Sequence, residues 1–247
     1  MASIPRSRLD VRLVDEGLAV SRERARALIL AGRVKVGGAV VSKAGTSVPA
    51  DAPVEVVEPD FPWVGRGGVK LAHALDTFRI DVADREALDI GASTGGFTDV
   101  LLQLGARRVV ALDVGHGQLD WRLREDPRVV VLEHRNARQL ERNWLPAPVE
   151  IVTIDVSFIS LRLILPVLPP VLAAGADVVA LVKPQFEAGR GDVGRGGIVK
   201  DPTVHEAVLA RVTASAAACG LMRVAMAPSP ITGAAGNQEF LVHLRQG

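Results

Sequence analysis

The 247-residue chain has one cysteine, Cys219, which excludes an intramolecular disulfide and suits a reducing compartment. No stretch approaches the roughly 18 uninterrupted apolar residues that a membrane-spanning helix needs. The opening MASIPRSRLDVRLVDEG carries no apolar segment of the signal-peptide kind, so the expectation is a cytoplasmic protein with no membrane partner. The five histidines (His73, His116, His134, His205, His243) are scattered without metal-ligand spacing, and no metal site is expected. There is no internal repeat. Low complexity is confined to EAGRGDVGRGG, residues 187–197, which reads as a mobile loop.

What is present is apolar material, 48% of the chain, enough for one sizeable core and a small second unit. The formal charge of +1 hides an asymmetry. Residues 1–45 hold nine Lys or Arg against four acids, so a basic lobe sits on a mildly acidic body and a polyanion partner is expected. Within that lobe, Leu9, Leu13 and Leu18 recur near helical spacing, and Ser21 looks like an N-cap for RERARALILAG. RVKVGGAVV reads as a tight hairpin turning at Gly37–Gly38. Four prolines between Pro49 and Pro62 mark a boundary at about residues 59–66, giving an N-terminal domain at 1–60, a linker at 61–66 and a larger domain at 67–247.

From residue 67 onward apolar strands alternate with helices, which predicts an α/β fold with a doubly wound, mainly parallel sheet. LRLILPVLPPVL, between two of the strands, reads as a helix interrupted at Pro169–Pro170. ALDIGASTGGFTDVLL places Gly91, Gly95 and Gly96 between a strand and a helix, where backbone can approach a ligand and helix N–H groups are free. Asp113 ends the next strand, where an acid can take the hydroxyls of a cofactor ribose. Two cofactors compete for such a turn. Ser93 occupies the second glycine position of a dinucleotide fingerprint, which counts against NAD, while S-adenosylmethionine (SAM) has no pyrophosphate to accommodate. Phe97 and Trp121 read as core residues, and Trp63 as a hinge or plug between domains.

VVALVKPQ poses a separate question, because an unbroken apolar run ends in Lys183 and Pro184. A proline cannot continue a central strand, so the lysine sits where a strand leaves the core, at the edge where doubly wound sheets bind ligands. Asp155 ends the preceding strand. A last antiparallel strand starting at Glu239 and a helix carrying Lys70 would bring both to the same edge. A lysine in such a partly buried place can serve as a base, and Lys183 is the candidate. The competing interpretation is two structural ion pairs at the rim of a sheet.

Two resemblances add to this reading. RLDVRLVDEGLAVSRERARALILAGRVKVGGAVVSKAGTSV resembles the S4 RNA-binding domain, which implies that Arg8, Arg22, Arg26, Lys35 and Lys43 face structured RNA. GRGGVKL, DIGASTGGFTDVLLQLGA, DVSFISL, VKPQFEAGRGDVGRGGIVKDP and SPITGAAGNQEF together resemble the TlyA family, also labelled haemolysin, in which an S4 domain precedes an FtsJ-like domain. The resemblance implies a Rossmann-like SAM-dependent methyltransferase that modifies cytidine 2′-hydroxyls of ribosomal RNA as a monomer. It implies Lys70, Asp155, Lys183 and Glu239 as the catalytic tetrad. It implies cofactor contacts from Asp89, Gly91, Ala92, Ser93, Thr94, Gly95, Gly96, Phe97, Asp113, Val114, Asn136, Ala137 and Asp155. Arg66, Arg138 and Arg195 would join the S4 lobe in holding RNA. Asn136 could equally cap the following turn. A catalytically inactive, RNA-binding ribosome assembly factor is the alternative function.

Overall fold

The computed structural model describes residues 5–57, 61–233 and 236–247; the first residues of the expected domain boundary, 59 and 60, lie outside them. The N-terminal lobe runs β1 (Arg6–Arg8), α1 (Leu9–Asp15), α2 (Arg22–Leu30), β2 (Val34–Val36), β3 (Ala39–Val40), β4 (Ser47–Pro49) and β5 (Val54–Val56). Ser21 caps α2 by accepting from the Arg24 N–H. Gly37 and Gly38 both adopt positive φ, 58° and 80°, which is what a two-residue hairpin turn of the right twist demands. Leu9, Leu13, Ala25, Leu28, Ile29, Val34 and Val48 form the lobe's own small core.

The larger body contains α3 (Gly67–Phe78), β6 (Glu86–Ile90), α4 (Gly96–Gln103), β7 (Arg108–Leu112), α5 (Trp121–Arg124), β8 (Val129–Leu132), β9 (Val149–Ile154), β10 (Leu172–Val182), α6 (Pro184–Glu187), α7 (Pro202–Ala217), β11 (Leu221–Pro228) and β12 (Phe240–Gln246). Seven strands form one sheet in the order β11-β12-β10-β9-β6-β7-β8. The five from β10 to β8 are parallel, and β12 runs antiparallel between β10 and β11. The central strands are rich in Val, Ile and Leu and bury both faces, with one core cluster on each side, whereas the edge strand β11 is largely exposed. Strand order reverses between β6 and β9, so the crevice beyond their carboxyl ends is where this topology places a ligand.

Two details differ from expectation. Residues 161–171 form three successive 3₁₀ turns rather than a helix broken by proline, because Pro166, Pro169 and Pro170 remove donors at intervals too short for a full helical ladder. Trp121 is 61% exposed and not a core residue, since α5 is a single surface turn. The glycine-rich loop is held at its far end: Asn237 accepts from the Val199 N–H at 2.9 Å and donates to the Gly197 carbonyl at 2.8 Å.

The linker is tied to both lobes. The Val64 N–H donates to Asp99 on α4 at 2.8 Å, and the Arg66 side chain lies against Gly32 and donates to the Thr232 carbonyl at 2.7 Å.

Candidate active site

The reversal point is built from two strand ends in direct contact. The Asp155 N–H donates to the Ile90 carbonyl at 2.9 Å, so β9 delivers its aspartate beside the turn that follows β6. Gly91 has φ 88°, and a Cβ there would lie 2.4 Å from the Asp155 carbonyl oxygen. Gly95, at φ 96°, would clash with Leu123 in the same way. Packing within the protein therefore requires these glycines, and the same smallness brings the main chain of Gly91 and Gly96 up to the cavity wall described below.

Lys183 ends β10 next to β9 and is the N-cap of α6, with Pro184 in the first helical position, where a missing N–H does no harm. Its Nζ lies 2.5 Å from Asp155 Oδ1 and donates to Ser157 Oγ at 2.9 Å. Lys70, on α3, pairs with Glu239 just before β12 at 2.5 Å, and both side chains are under a tenth exposed. The four residues that the sequence brought to one edge thus stand as two ion pairs around one cavity. That cavity is about 570 Å³ and is also lined by Gly91, Ala92, Ser93, Thr94, Gly96 and Phe97.

Charge follows geometry. Burial alone would raise the Asp155 carboxyl, but the neighbouring Lys183 and Lys70 charges outweigh it and hold it below the ordinary range. Asp89 behaves oppositely. Fully buried, it accepts from Thr98 Oγ1 at 2.7 Å and Thr153 Oγ1 at 3.0 Å, and burial pushes it up to about 7. It sits one layer behind the cavity and does not line it.

The other expected cofactor residues divide. Asp113 accepts from the Ser93 N–H at 2.8 Å and the Gly115 N–H at 2.7 Å, beside a narrow pocket of about 10 Å³ bordered by Gln118. Val114 is exposed, Ala137 is buried, and Asn136 accepts from the Arg138 N–H as the cap of a 3₁₀ turn. None of these four lines the large cavity. Phe97 is both core, at 4% exposed, and cavity wall.

Of the basic residues, Arg8, Arg22 and Arg26 converge on one buried carboxylate, Asp10, at 2.9, 3.1 and 3.3 Å. Each guanidinium remains about half exposed, and Asp10 is held far below its ordinary range, first by the hydrogen bond from Arg8. Lys43 and Arg66 line the same cavity, so the N-terminal lobe forms part of its wall. Lys35 is half-buried; Arg138 is exposed on a 3₁₀ turn and does not line the cavity, while Arg195 is exposed between Val193 and Gly196, which do.

Sequence reasoning missed four residues. Ser157 and Phe158 follow Asp155 at the cavity, and Phe158 is 90% exposed at φ 63°, a conformation unusual for a bulky side chain. Phe186 lies 5.0 Å from it, ring to ring. Glu187 is buried beneath, accepting from Ser160 Oγ and the Leu161 N–H, both at 2.6 Å. The phenylalanine in DVSF was the one available signal, because an apolar residue just past the end of a buried strand is placed at the edge where such sheets bind ligands.

Residues 63–246 match the FtsJ-like methyltransferase family, and residues 7–54 match the S4 domain. The chain belongs to the FtsJ-like methyltransferase family. Its two-lobed layout extends along whole relatives. The 16S/23S rRNA (cytidine-2′-O)-methyltransferase TlyA of Mycobacterium tuberculosis is 48% identical over 97% of this chain and 90% of its own length. YqxC of Bacillus subtilis, a candidate rRNA methyltransferase, is 50% identical over 97% of this chain and 85% of its own. A solved structure of a candidate hemolysin from Streptococcus thermophilus superposes with a TM-score of 0.77 at 45% identity, covering 99% of this chain and 90% of that one. The TlyA resemblance drawn from the motifs is met by these relatives, and the methyltransferase sheet with an N-terminal S4 domain is the fold that was expected. No helix among the described residues is long and apolar enough to cross a membrane.

Proposed function

We propose that this FtsJ-like methyltransferase transfers a methyl group from SAM to cytidine 2′-hydroxyls of ribosomal RNA, acting in the cytoplasm as a monomer whose S4 lobe grips the RNA. The observation that carries the reading is the pair of buried lysine–carboxylate contacts opening on one cavity beside a glycine turn. Both pairs face the cavity, and Asp155 Oδ1, with the Lys183 ammonium 2.5 Å away, keeps a lone pair for a further donor.

The same oxygen tests the fit of the cofactor. SAM is cationic at sulfur and nitrogen, and a buried carboxylate with spare acceptor capacity suits its neighbourhood. Residues Gly91 to Phe97 would hold its methionine end, and Asp113 its ribose hydroxyls, since each oxygen of that carboxylate keeps a free lone pair. Val114, Asn136 and Ala137 would border the adenine, and Asp89 would support the turn from behind. When bound, SAM supplies an activated methyl group. The protein's residues supply alignment and proton transfer. Lys183 accepts the proton of the 2′-hydroxyl, Asp155 orients both, and Lys70 with Glu239 closes the far side of the cluster. The exposed face of Phe158 offers an apolar platform to a base turned out of its stack. Arg8, Arg22, Arg26, Lys35 and Lys43 hold RNA phosphates on the S4 lobe, joined by Arg66, Arg138 and Arg195.

The test is transfer of a labelled methyl group to ribosomal RNA, with 2′-O-methyl positions mapped. Lys183→Ala is expected to reduce the rate about 10²- to 10⁴-fold, the usual contribution of a general base. Binding of SAM, measured by calorimetry, is expected to persist. Equal labelling by wild type and variant removes Lys183 from the chemistry.

A further inference from the structure

A lysine side chain has four rotatable bonds, and a base must present one particular corner of its nitrogen to the hydroxyl it serves. Among the described residues, two groups touch Lys183 Nζ. Asp155 Oδ1 is 2.5 Å away but takes no aligned hydrogen bond, so that contact is a Coulombic attraction that fixes distance more than direction. Ser157 Oγ, at 2.9 Å, is the aligned acceptor. The serine lies two residues beyond Asp155 and borders the same cavity.

The turn that carries it is fixed at both ends. In front, the Asp155 N–H is bonded to the Ile90 carbonyl at 2.9 Å. Behind, buried Glu187 accepts from Ser160 and Leu161 and so ties the turn to α6, the helix that Lys183 caps. Serine and lysine are therefore held by one rigid unit, and their hydrogen bond is not the chance meeting of two flexible side chains.

We infer that Ser157 is a positioning residue for methyl transfer: its Oγ accepts a hydrogen bond from Lys183 Nζ and turns the amine so that its lone pair faces the acceptor hydroxyl in the cavity. This rests on the reading of Lys183 as the proton acceptor. The ammonium paired with Asp155 must first give one proton to solvent through the open cavity; the neutral amine that results has Cε, two N–H bonds and a lone pair at its four corners. With one N–H on Ser157 and the other toward Asp155, the lone pair takes the remaining corner. The 2′ O–H bond then breaks with its proton going to that lone pair. The oxygen–methyl bond forms as the sulfur–methyl bond breaks, and the electrons of the broken bond stay on sulfur. The resulting ammonium finds both acceptors already in place, so no reorganisation is needed at the moment of reaction.

The experiment compares Ser157→Ala and Ser157→Thr with wild type and Lys183→Ala in the full-length protein. Ser157→Ala is expected to lower kcat about 10- to 100-fold while KM for ribosomal RNA stays within about threefold, and Ser157→Thr, which keeps the hydroxyl, is expected to recover most of the rate. Ser157 is exposed to the cavity, so its truncation leaves folding intact; the threonine variant and the structures below decide the matter even if it does not. Crystal structures of the two variants give a readout apart from activity. Lys183 Nζ keeps its single position beside Asp155 in Ser157→Thr and spreads over several positions around Asp155 in Ser157→Ala. Wild-type kcat in the alanine variant, a loss carried by KM for RNA alone, a threonine variant as slow as alanine, or an unmoved Lys183 in the alanine crystal each overturns the inference. Failure of the underlying reading looks different: wild type transfers no label, or Lys183→Ala transfers as much as wild type.

Discussion

Asp89 and Asp155 stand at the ends of neighbouring parallel strands, yet the protein holds them on opposite sides of the ordinary carboxylate range. Asp155 faces two lysines. Asp89 faces two threonine hydroxyls and, among the described residues, no cation, so the hydrogen bonds offset only part of the loss of solvation. The consequence for stability has a definite sign. The folded state keeps a proton on Asp89 up to about 7, whereas the unfolded chain releases it near 4. Between those values the folded state binds more protons, so stability falls as pH rises, by something of the order of 4 kcal/mol if the whole shift is realised. Asp155 is lowered instead, so its contribution is lost only as pH falls below the ordinary carboxylate range, and it adds nothing to this window. Asp89→Asn is expected to flatten the fall between pH 5 and 7.5. Denaturant unfolding of wild type and variant at both values checks it, with the difference between the two proteins removing the contribution of the histidines. The sequence placed an acid at Asp89 but could not show which way it pointed, because successive strand residues face opposite sides and only the packing of α4 decides which side meets Thr98.

The elements themselves were largely legible. Runs such as VVALV and EIVTI are too apolar to be anything but buried strands in a chain of this length, and Gly, Ser and Pro punctuate them where the structure turns. Residues 161–171 were not legible in this way, since an apolar run crowded with proline suits any buried segment that forgoes a full helical ladder. What elements do for the site is clearest in Lys70 and Glu239. They are 169 residues apart and meet only because β12 inserts antiparallel beside β10, with α3 packed against it. At under a tenth exposed, neither charge can rely on water. Glu239→Gln leaves the Lys70 ammonium buried and unpaired, and is expected to lower stability by about 3–5 kcal/mol. Replacing both with apolar residues, Lys70→Met with Glu239→Leu, is expected to restore much of that stability and none of the methyl transfer. Chemical denaturation of the three proteins alongside a transfer assay checks both halves. A double variant that regained activity would mean that the pair serves the fold alone.

At the scale of the whole molecule, a basic S4 lobe forms part of the wall of a cavity built by the methyltransferase sheet, and its positive charge is organised rather than diffuse. The excess of Lys and Arg in residues 1–45 was visible in the sequence, but not that Asp10 gathers three arginines from β1 and α2, because that meeting depends on how two helices cross. If those guanidinium groups hold RNA phosphates, each contact displaces condensed counterions, and Arg22→Ala is expected to reduce the slope of log affinity against log salt by about 0.7–0.9. Asp10 keeps two partners in that variant, so folding is preserved. Asp10→Asn separates organisation from charge. It makes the lobe more positive by one, so a purely Coulombic surface would bind RNA more tightly. A preorganised one would bind less tightly, because the three side chains must then be ordered at the expense of their own entropy. Fluorescence titration of a ribosomal RNA fragment across a salt series measures both quantities. The expected outcome is weaker binding by Asp10→Asn at every salt concentration, with SAM affinity unchanged; tighter binding would show that the buried aspartate only dilutes the charge of the lobe.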